Sequence, residues 1–331
     1  MIDRTKLQDF HTALHTWFSL NGRRGLPWRD NPTPYAVLVS EFMLQQTTVA
    51  TVIPRFNNWI ARFPDIHSVA NASEAMVLKE WEGLGYYSRA RNLHRAAKAI
   101  ATEHGGTIPF DPATLRNLPG IGRYTASAIA AFAFEKCLPV LDANIIRLIA
   151  RLENFTKPVS TSQGMASIEG FASALLPEIG GRIHTSALMD LGSMICRAGT
   201  PDCLSCPLRS FCKADNPALL PVTPPRKKTT EVVEVRFLAV TPTTVYLLQS
   251  PGPRWKGLWI LPPCTNPGEQ PIVTITHAIT RFKVRLELHL AAPDPHLTAF
   301  PLDNLPAMPS PHRKALAMAL EKIHIGSIGH F

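Results

Sequence analysis

Apolar residues recur at three- and four-residue spacing through residues 5–214, the period of helices that bury one face. Leu7–Phe18, Tyr35–Ile60, Ala75–Glu80, Ala90–Glu103, Thr125–Phe134, Ile145–Leu152, Ser162–Leu176 and His184–Cys196 carry this period, with Pro and Gly between them. No stretch in this part alternates as a strand does. Asn216–Thr230, NPALLPVTPPRKKTT, is Pro-rich and ends in a basic run, which is linker composition. Beyond it the period changes to two: Val232–Val240, Val245–Gln249, Ile272–Ile275 and Phe282–Leu290 read as half-buried strands, and Pro311–Ile323 as a closing helix. The pattern predicts a mainly α region over 1–215, a linker over 216–230 and an α+β domain over 231–331.

The length of 331 residues agrees with about two domains at ~150 residues each. With 45% hydrophobic and 18% charged residues, the chain is neither a charge-rich disordered protein nor a membrane protein. No apolar run approaches the ~18 residues that span a bilayer, and MIDRTKLQDF carries charges where a signal peptide has an apolar core. A cytoplasmic protein without a membrane partner is expected, nucleoid-associated if the source is bacterial. Lys and Arg number 34 against 25 Asp and Glu, a formal charge of +9. This favours a polyanionic partner, although composition alone fits a merely basic protein as well.

Four motifs bear on chemistry. In Leu118-Pro119-Gly120-Ile121-Gly122-Arg123-Tyr124, two glycines flank an apolar residue just before a small-residue helix. Such a turn, backed by a helix N-terminus, grips a phosphate through backbone N–H groups without reading sequence, as a helix-hairpin-helix over about 112–134 does. A bare GxG would equally serve as an ordinary helix turn. Asp142, in PVLDANIIR, either merely caps the helix carrying Arg147 and Arg151 or faces a strand held by the hairpin. Glu41, in VSEFMLQQT, sits in an apolar helical stretch that would raise its pKa toward that of a general acid, unless it is a capping or salt-bridged core residue. Trp81–Asn92, WEGLGYYSRARN, places paired tyrosines on a Gly-rich turn ahead of two arginines; tyrosines there either pack in a core or wedge between bases.

Cys196, Cys203, Cys206 and Cys212 crowd together, whereas Cys137 and Cys264 stand apart. One compact run with a single CxxC fits a cubane iron–sulfur cluster better than a zinc ribbon, and disulfides do not suit a reducing compartment.

These motifs, in this order on a helical body, resemble the helix-hairpin-helix DNA glycosylase superfamily, and more narrowly its MutY-type adenine DNA glycosylases. The resemblance runs strongly from Leu26 to Cys212 and weakly beyond. It implies two helical subdomains with an iron–sulfur loop, and a C-terminal Nudix-like domain that inspects the opposite base. The activity implied is base-excision repair: adenine mispaired with 8-oxoguanine or guanine is flipped from double-stranded DNA and its N-glycosidic bond hydrolysed by a monomer. Glu41 would protonate the adenine, Asp142 would stabilise or trap the sugar, and Tyr124 and Asn144 would support them. Arg24, Leu26, Trp28 and Arg29 would shape the adenine pocket, and Gln46 and Tyr86 enter the base stack. Leu118, Gly120 and Gly122 would hold the DNA backbone, and the four clustered cysteines a [4Fe-4S] cluster.

Sibling enzymes of endonuclease III type, with lyase activity, place a lysine where this chain has Tyr124, so monofunctional action is implied. No G-x5-E-x7-R-E-x2-E-E pattern follows Trp255, so the last domain is not expected to cleave pyrophosphates. The chain departs from the family at Ala143 for Gly, at Ser186 for Gln or Glu, in a short Pro262–Thr276 stretch, and at Thr280-Arg281 for a Ser-His pair that meets 8-oxoguanine. The competing readings are a pyrimidine or thymine-mismatch glycosylase on the same scaffold and a non-catalytic DNA-binding relative. A mere binding module has no need of Glu41 and Asp142 together.

Overall fold

Helix starts are written into the sequence as caps. Thr33 caps the helix that starts at Pro34 by accepting the Ala36 N–H, Asp111 caps the one from Pro112 by accepting that of Thr114, Asp142 caps the one from Ala143 and Thr161 the one from Ser162. The computed structural model describes residues 4–225, 228–264, 267 and 270–328. Arg226 and Lys227 of the basic run lie outside the described residues, as do positions 265, 266, 268 and 269 of the short stretch after Pro262 and the first three residues of the chain. In chain order the helices are α1 (Arg4–Asn21), α2 (Pro27–Asp30), α3 (Pro34–Leu44), α4 (Val49–Arg62), α5 (Ile66–Asn71), α6 (Glu74–Glu80), α7 (Ser88–Glu103), α8 (Pro112–Leu115), α9 (Arg123–Phe134), α10 (Ala143–Leu152), α11 (Ser162–Ala174), α12 (Gly181–Met194) and α13 (Ser310–Ile328).

The chain divides into two units, residues 1–71 with 92–225 and residues 72–91 with 226–331. The first has helices and no strand among its described residues, as the sequence period predicts. Its division from the second is not the single break expected near 215–231, because residues 72–91 group with the C-terminal part. The physical reason is local to that unit: Lys79 donates to the Leu305 carbonyl at 2.6 Å, Tyr87 to the Met308 carbonyl at 2.9 Å, and Glu82 pairs with Arg313. The expected helix over Tyr35–Ile60 is also interrupted. Gln46 takes a left-handed φ of 57°, and α3 and α4 are separate helices.

Within the first unit α3 is buried from Ala36 through Met43 and packs on α4 and α9. Alanines 126, 128, 130 and 131 of α9 are fully buried, and their small side chains let α3, α8 and α12 approach. α12 packs in turn on α1, α9 and α10.

The second unit is α+β. Strands β1 (Thr230–Val240), β2 (Thr244–Gln249), β3 (Trp259–Ile260), β4 (Val273–Ile279), β5 (Phe282–Leu290) and β6 (Thr298–Pro301) form one mixed sheet in the order β3-β2-β1-β5-β4, with β6 also paired to β2. β1 and β5 run parallel from Thr230↔Phe282 to Leu238↔Leu290, while β4 and β5 form an antiparallel hairpin closing at Ile279↔Phe282. Val284, Leu286 and Leu288 alternate inward along β5 and are covered by Ala315, Leu316 and Ala319 of α13. The short strands β3 and β6 carry too few residues for a period and were not expected.

Candidate active site

A cavity of about 630 Å³ opens in the helical unit and brings Glu41, Tyr124, Asp142 and Asn144 to one wall, with Leu26, Trp28, Arg29 and Gln46 around them. Glu41 is 5% exposed in the apolar middle of α3. Burial pushes its carboxyl up to about 7; the Tyr124 hydrogen bond opposes this, the Asp142 charge adds to it, and Arg29 opposes it. Tyr124, in the first turn of α9, donates its hydroxyl to Glu41. Burial, and then the neighbouring carboxylates, hold its own pKa well above the ordinary value. With Tyr124 as a donor, the carboxyl proton of Glu41 is left for a guest in the cavity.

Asp142 caps α10, its Oδ1 accepting the Ile145 N–H at 2.7 Å and its Oδ2 accepting from Asn144 Nδ2 at 2.8 Å. Burial raises its pKa, against the opposing pull of those hydrogen bonds and the Arg147 charge. The cap reading and the site reading of Asp142 are therefore one arrangement: the bonds that cap the helix also aim and partly stabilise a carboxylate at the cavity. Arg147 extends the network, donating to Asn144 Oδ1 at 2.9 Å and to the carbonyls of Gly192 at 2.6 Å and Cys196 at 2.8 Å.

Asp190, fully buried on α12, was missed in the sequence. It accepts from the backbone N–H, Nε and Nη2 of Arg23 at 2.9, 2.8 and 2.6 Å, and from both terminal nitrogens of Arg29 at 2.9 and 3.0 Å. Burial alone would raise its pKa, but the Arg29 and Arg23 bonds and charges outweigh this and hold it low. The signal was available: a lone carboxylate inside an apolar helix, the same feature that singled out Glu41. Arg23 lines the cavity, whereas Arg24 does not. Arg24 turns back over the Phe18 ring and donates to the Ser19 carbonyl at 2.7 Å. Ser186 is buried in α12 and does not line the cavity.

The hairpin lies where the sequence puts it, between α8 and α9. Leu118 is buried, and Gly120 has φ +77°, with Asn92 so close that an added Cβ would meet its side chain at 2.4 Å. Gly122 is the N-cap of α9 and no side chain caps that helix, which leaves its first-turn N–H groups for an anion.

The four clustered cysteines line a single pocket with Leu148, Arg151 and Ile195, and none is in a disulfide. Among the described residues no three such groups converge as the ligands of one metal ion do. Burial raises the Cys196 thiol although Arg151 donates to its Sγ at 3.3 Å, and burial pushes Cys206 up to about 11. Four soft donors at one pocket, Cys196 buried and the other three half-buried, are of the kind that hold a thiophilic metal group. Arg151 braces the loop, donating to the carbonyls of Cys196, Arg197, Gly199 and Leu220 at 3.1, 2.8, 3.2 and 3.1 Å.

In the second unit Tyr86 has φ +44° and is 43% exposed. Its turn is clamped by Arg89, which donates to the carbonyls of Leu84 at 2.8 Å and Gly85 at 3.2 Å, and by the Trp81 indole, which donates to Gly85 at 3.1 Å. An aromatic residue held in so sparsely populated a conformation marks a place where exposure of the ring is worth strain. Thr280 forms the tip of the β4–β5 hairpin with φ +50°, its hydroxyl donating to the Ile279 carbonyl at 2.7 Å.

Comparison with known proteins gives a consistent picture. Residues 39–171 match the family described as HhH-GPD superfamily base excision DNA repair protein. The chain is 41% identical over 203 residues to an adenine DNA glycosylase of Mycolicibacterium smegmatis, covering 60% of this chain and 67% of that one. It is 38% identical over 209 residues to one of Buchnera aphidicola, covering 62% and 58%, and 37% identical over 221 residues to the human one, covering 64% and 40%. Among solved structures, a thermostable thymine-DNA glycosylase superposes with TM-score 0.56 at 26% identity, over 63% of this chain and 96% of that one. A non-covalent endonuclease III–DNA complex superposes with TM-score 0.54 at 22% identity, over 64% and 96%, a likeness of fold.

Proposed function

Because this chain belongs to the HhH-GPD superfamily of base excision DNA repair proteins, on its adenine DNA glycosylase branch, we propose that it removes adenine mispaired with 8-oxoguanine or guanine in double-stranded DNA. The matched part spans 40 to 67% of the relatives named above. The observation that carries the reading is the meeting of two buried carboxyl groups at one cavity, held in different ways. Glu41 is neutral up to about pH 7, and Asp142 is fixed by a helix N-terminus and Asn144.

Flipping a base costs a few kcal/mol of stacking, and less for a mispaired one, which supplies part of the selectivity. The flipped adenine enters the cavity between Trp28 and Arg29 on one side and Glu41 on the other. Glu41 gives its proton to a ring nitrogen, so adenine departs as a neutral base. Asp142 faces the oxocarbenium-like sugar and stabilises its charge or bonds to it, after which water adds at the anomeric carbon. Tyr124 keeps Glu41 oriented and, as a phenol, forms no imine with the sugar, so the product is an intact abasic site. Cys196, Cys203, Cys206 and Cys212 would hold a [4Fe-4S] cluster, whose part is to close the loop that Arg151 braces. The second unit, a Nudix-like reader without pyrophosphatase residues, inspects the opposite base.

The test is a single-turnover assay on duplexes bearing A:8-oxoguanine, A:G and A:C, beside G:T and thymine-glycol duplexes. Adenine release is expected, leaving alkali-labile sites. Excision of thymine or thymine glycol with no action on adenine refutes the proposal in favour of the pyrimidine reading, and binding without excision favours a non-catalytic relative.

A further inference from the structure

The second unit contains a cleft of about 420 Å³ that none of the residues assigned so far explains, apart from Tyr86 at its edge. One wall is the Leu84–Tyr87 turn. The other is Arg254, Trp255 and the end of β4 at His277, with Pro309–Pro311 closing it. Its size is that of a small-ligand site.

Arg254 is built into this cleft from three directions. Its guanidinium lies over the Trp255 ring at 4.1 Å, a stacked cation–π arrangement. Glu234, whose side chain is 13% exposed, pairs with it and also with Arg236. Its Nη2 lies 3.4 Å from Nε2 of His277. Trp255 is itself fixed, edge-on at 4.6 Å to the fully buried His312, whose Nδ1 accepts the Leu261 N–H at 3.1 Å. Burial, and then the Arg254 charge, push the His277 pKa below its usual value, so the ring is neutral and Nε2 accepts from Arg254. The other ring nitrogen, Nδ1, then carries the proton and is buried without a partner among the described residues, a feature that calls for a missing acceptor.

An aromatic plane, an exposed tyrosine and a pre-oriented guanidinium fork suit a flat guest with carbonyl oxygens on its edge. Guanine meets arginine in this way through O6 and N7. The residues expected from the resemblance to meet this guest are turned elsewhere: the Thr280 hydroxyl bonds its own chain, and the Arg281 guanidinium lies over the Phe282 ring at 5.0 Å. Neither lines the cleft.

Resting on the function proposed above, we propose that Arg254 is the specificity-determining residue for the base opposite the excised adenine, donating to its carbonyl edge, with Trp255 and His277 as positioning residues. The guest is guanine or 8-oxoguanine. In 8-oxoguanine N7 carries a hydrogen and no longer accepts, so the acceptors on this edge are the two carbonyls, and O8 offers the guanidinium a contact that guanine lacks.

The experiment measures equilibrium binding of the full chain to duplexes with a non-cleavable abasic analogue opposite 8-oxoguanine, guanine or thymine. Wild type is compared with Arg254→Ala and Arg254→Lys, and thermal unfolding of each variant checks its fold. Arg254→Ala should weaken the 8-oxoguanine duplex by about tenfold or more and the thymine duplex by less, so that the affinity ratio narrows. Arg254→Lys keeps the charge facing Glu234 but loses the planar fork, so the ratio should narrow there too; this variant decides the matter if the alanine protein does not fold. Wild-type ratios in both folded variants, or in the lysine variant alone when only it folds, overturn the assignment. Failure of the underlying function looks different: wild type then releases no adenine from any duplex.

Discussion

Replacing Glu41 by Gln keeps the shape and hydrogen-bonding reach of the side chain and removes one thing, a proton that can be given away. Two consequences of different sign follow. Positioned acid catalysis is typically worth ~10²–10⁴-fold, so single-turnover release of adenine should fall by that factor while mismatch binding persists. Stability should move the other way. The carboxyl titrates near 4.5 when unfolded and about 7 in the folded chain, and that shift amounts to about 3 kcal/mol against the charged form. Between these values the folded protein holds a proton that the unfolded one has released, so wild-type stability falls as pH rises through the window and stays lower above it. Gln cannot ionise. The variant should match wild type near pH 4.5 and exceed it by at most about 3 kcal/mol at pH 8, as denaturant midpoints of the two proteins at both pH values would report. The wild-type rate, in turn, should decline tenfold per pH unit once pH passes about 7. A variant within threefold of wild type, a rate that stays flat to pH 9, or a variant no more stable at pH 8 would refute the buried-acid argument.

Asp142→Asn keeps a good helix cap but loses the negative charge facing a cationic sugar. Adenine release should drop by at least about 10²-fold with little change in melting temperature. Tyr124→Lys should introduce strand nicking without alkali, whereas wild type should release base far faster than it nicks; equal rates in wild type would end the monofunctional claim. Anaerobically purified protein should carry about four irons per chain by the cubane stoichiometry, and Cys203→Ser should lower both iron and soluble yield. Stoichiometric zinc without iron would contradict this.

Glu41, Asp142 and the Gly120–Gly122 hairpin were legible because each breaks a local rule: a charge in an apolar helix, a cap after an apolar run, glycines where a helix should start. Asp190 breaks the same rule, yet its meaning depends on Arg23 and Arg29, some 160 residues away in sequence, a pairing that periodicity does not encode. The resemblance implies Arg24 at the pocket, yet it is Arg23 that lines the cavity, because which of two adjacent basic residues faces inward depends on the path of the chain. The break after α3 leaves no mark in the sequence, since Gln45–Thr48 contains no Gly or Pro and Gln46 itself takes the left-handed turn. Likewise, residues 72–91 read as more of the helical body, and only carbonyl bonds such as that from Tyr87 to Met308 reveal their allegiance to the sheet-bearing unit.

Arg151 is 1% exposed and directs all three guanidinium nitrogens at one thiol sulfur and four backbone carbonyls of a segment with little regular structure. Lysine carries the same charge but concentrates its donors at one point, so it cannot reach carbonyls spread from Cys196 to Leu220. A carrier of an Arg151→Lys allele should therefore show a deficit of protein rather than a faulty enzyme. The molecules that survive quality control would turn over substrate at the ordinary rate, while the cell holds too few of them and sees its mutation load rise.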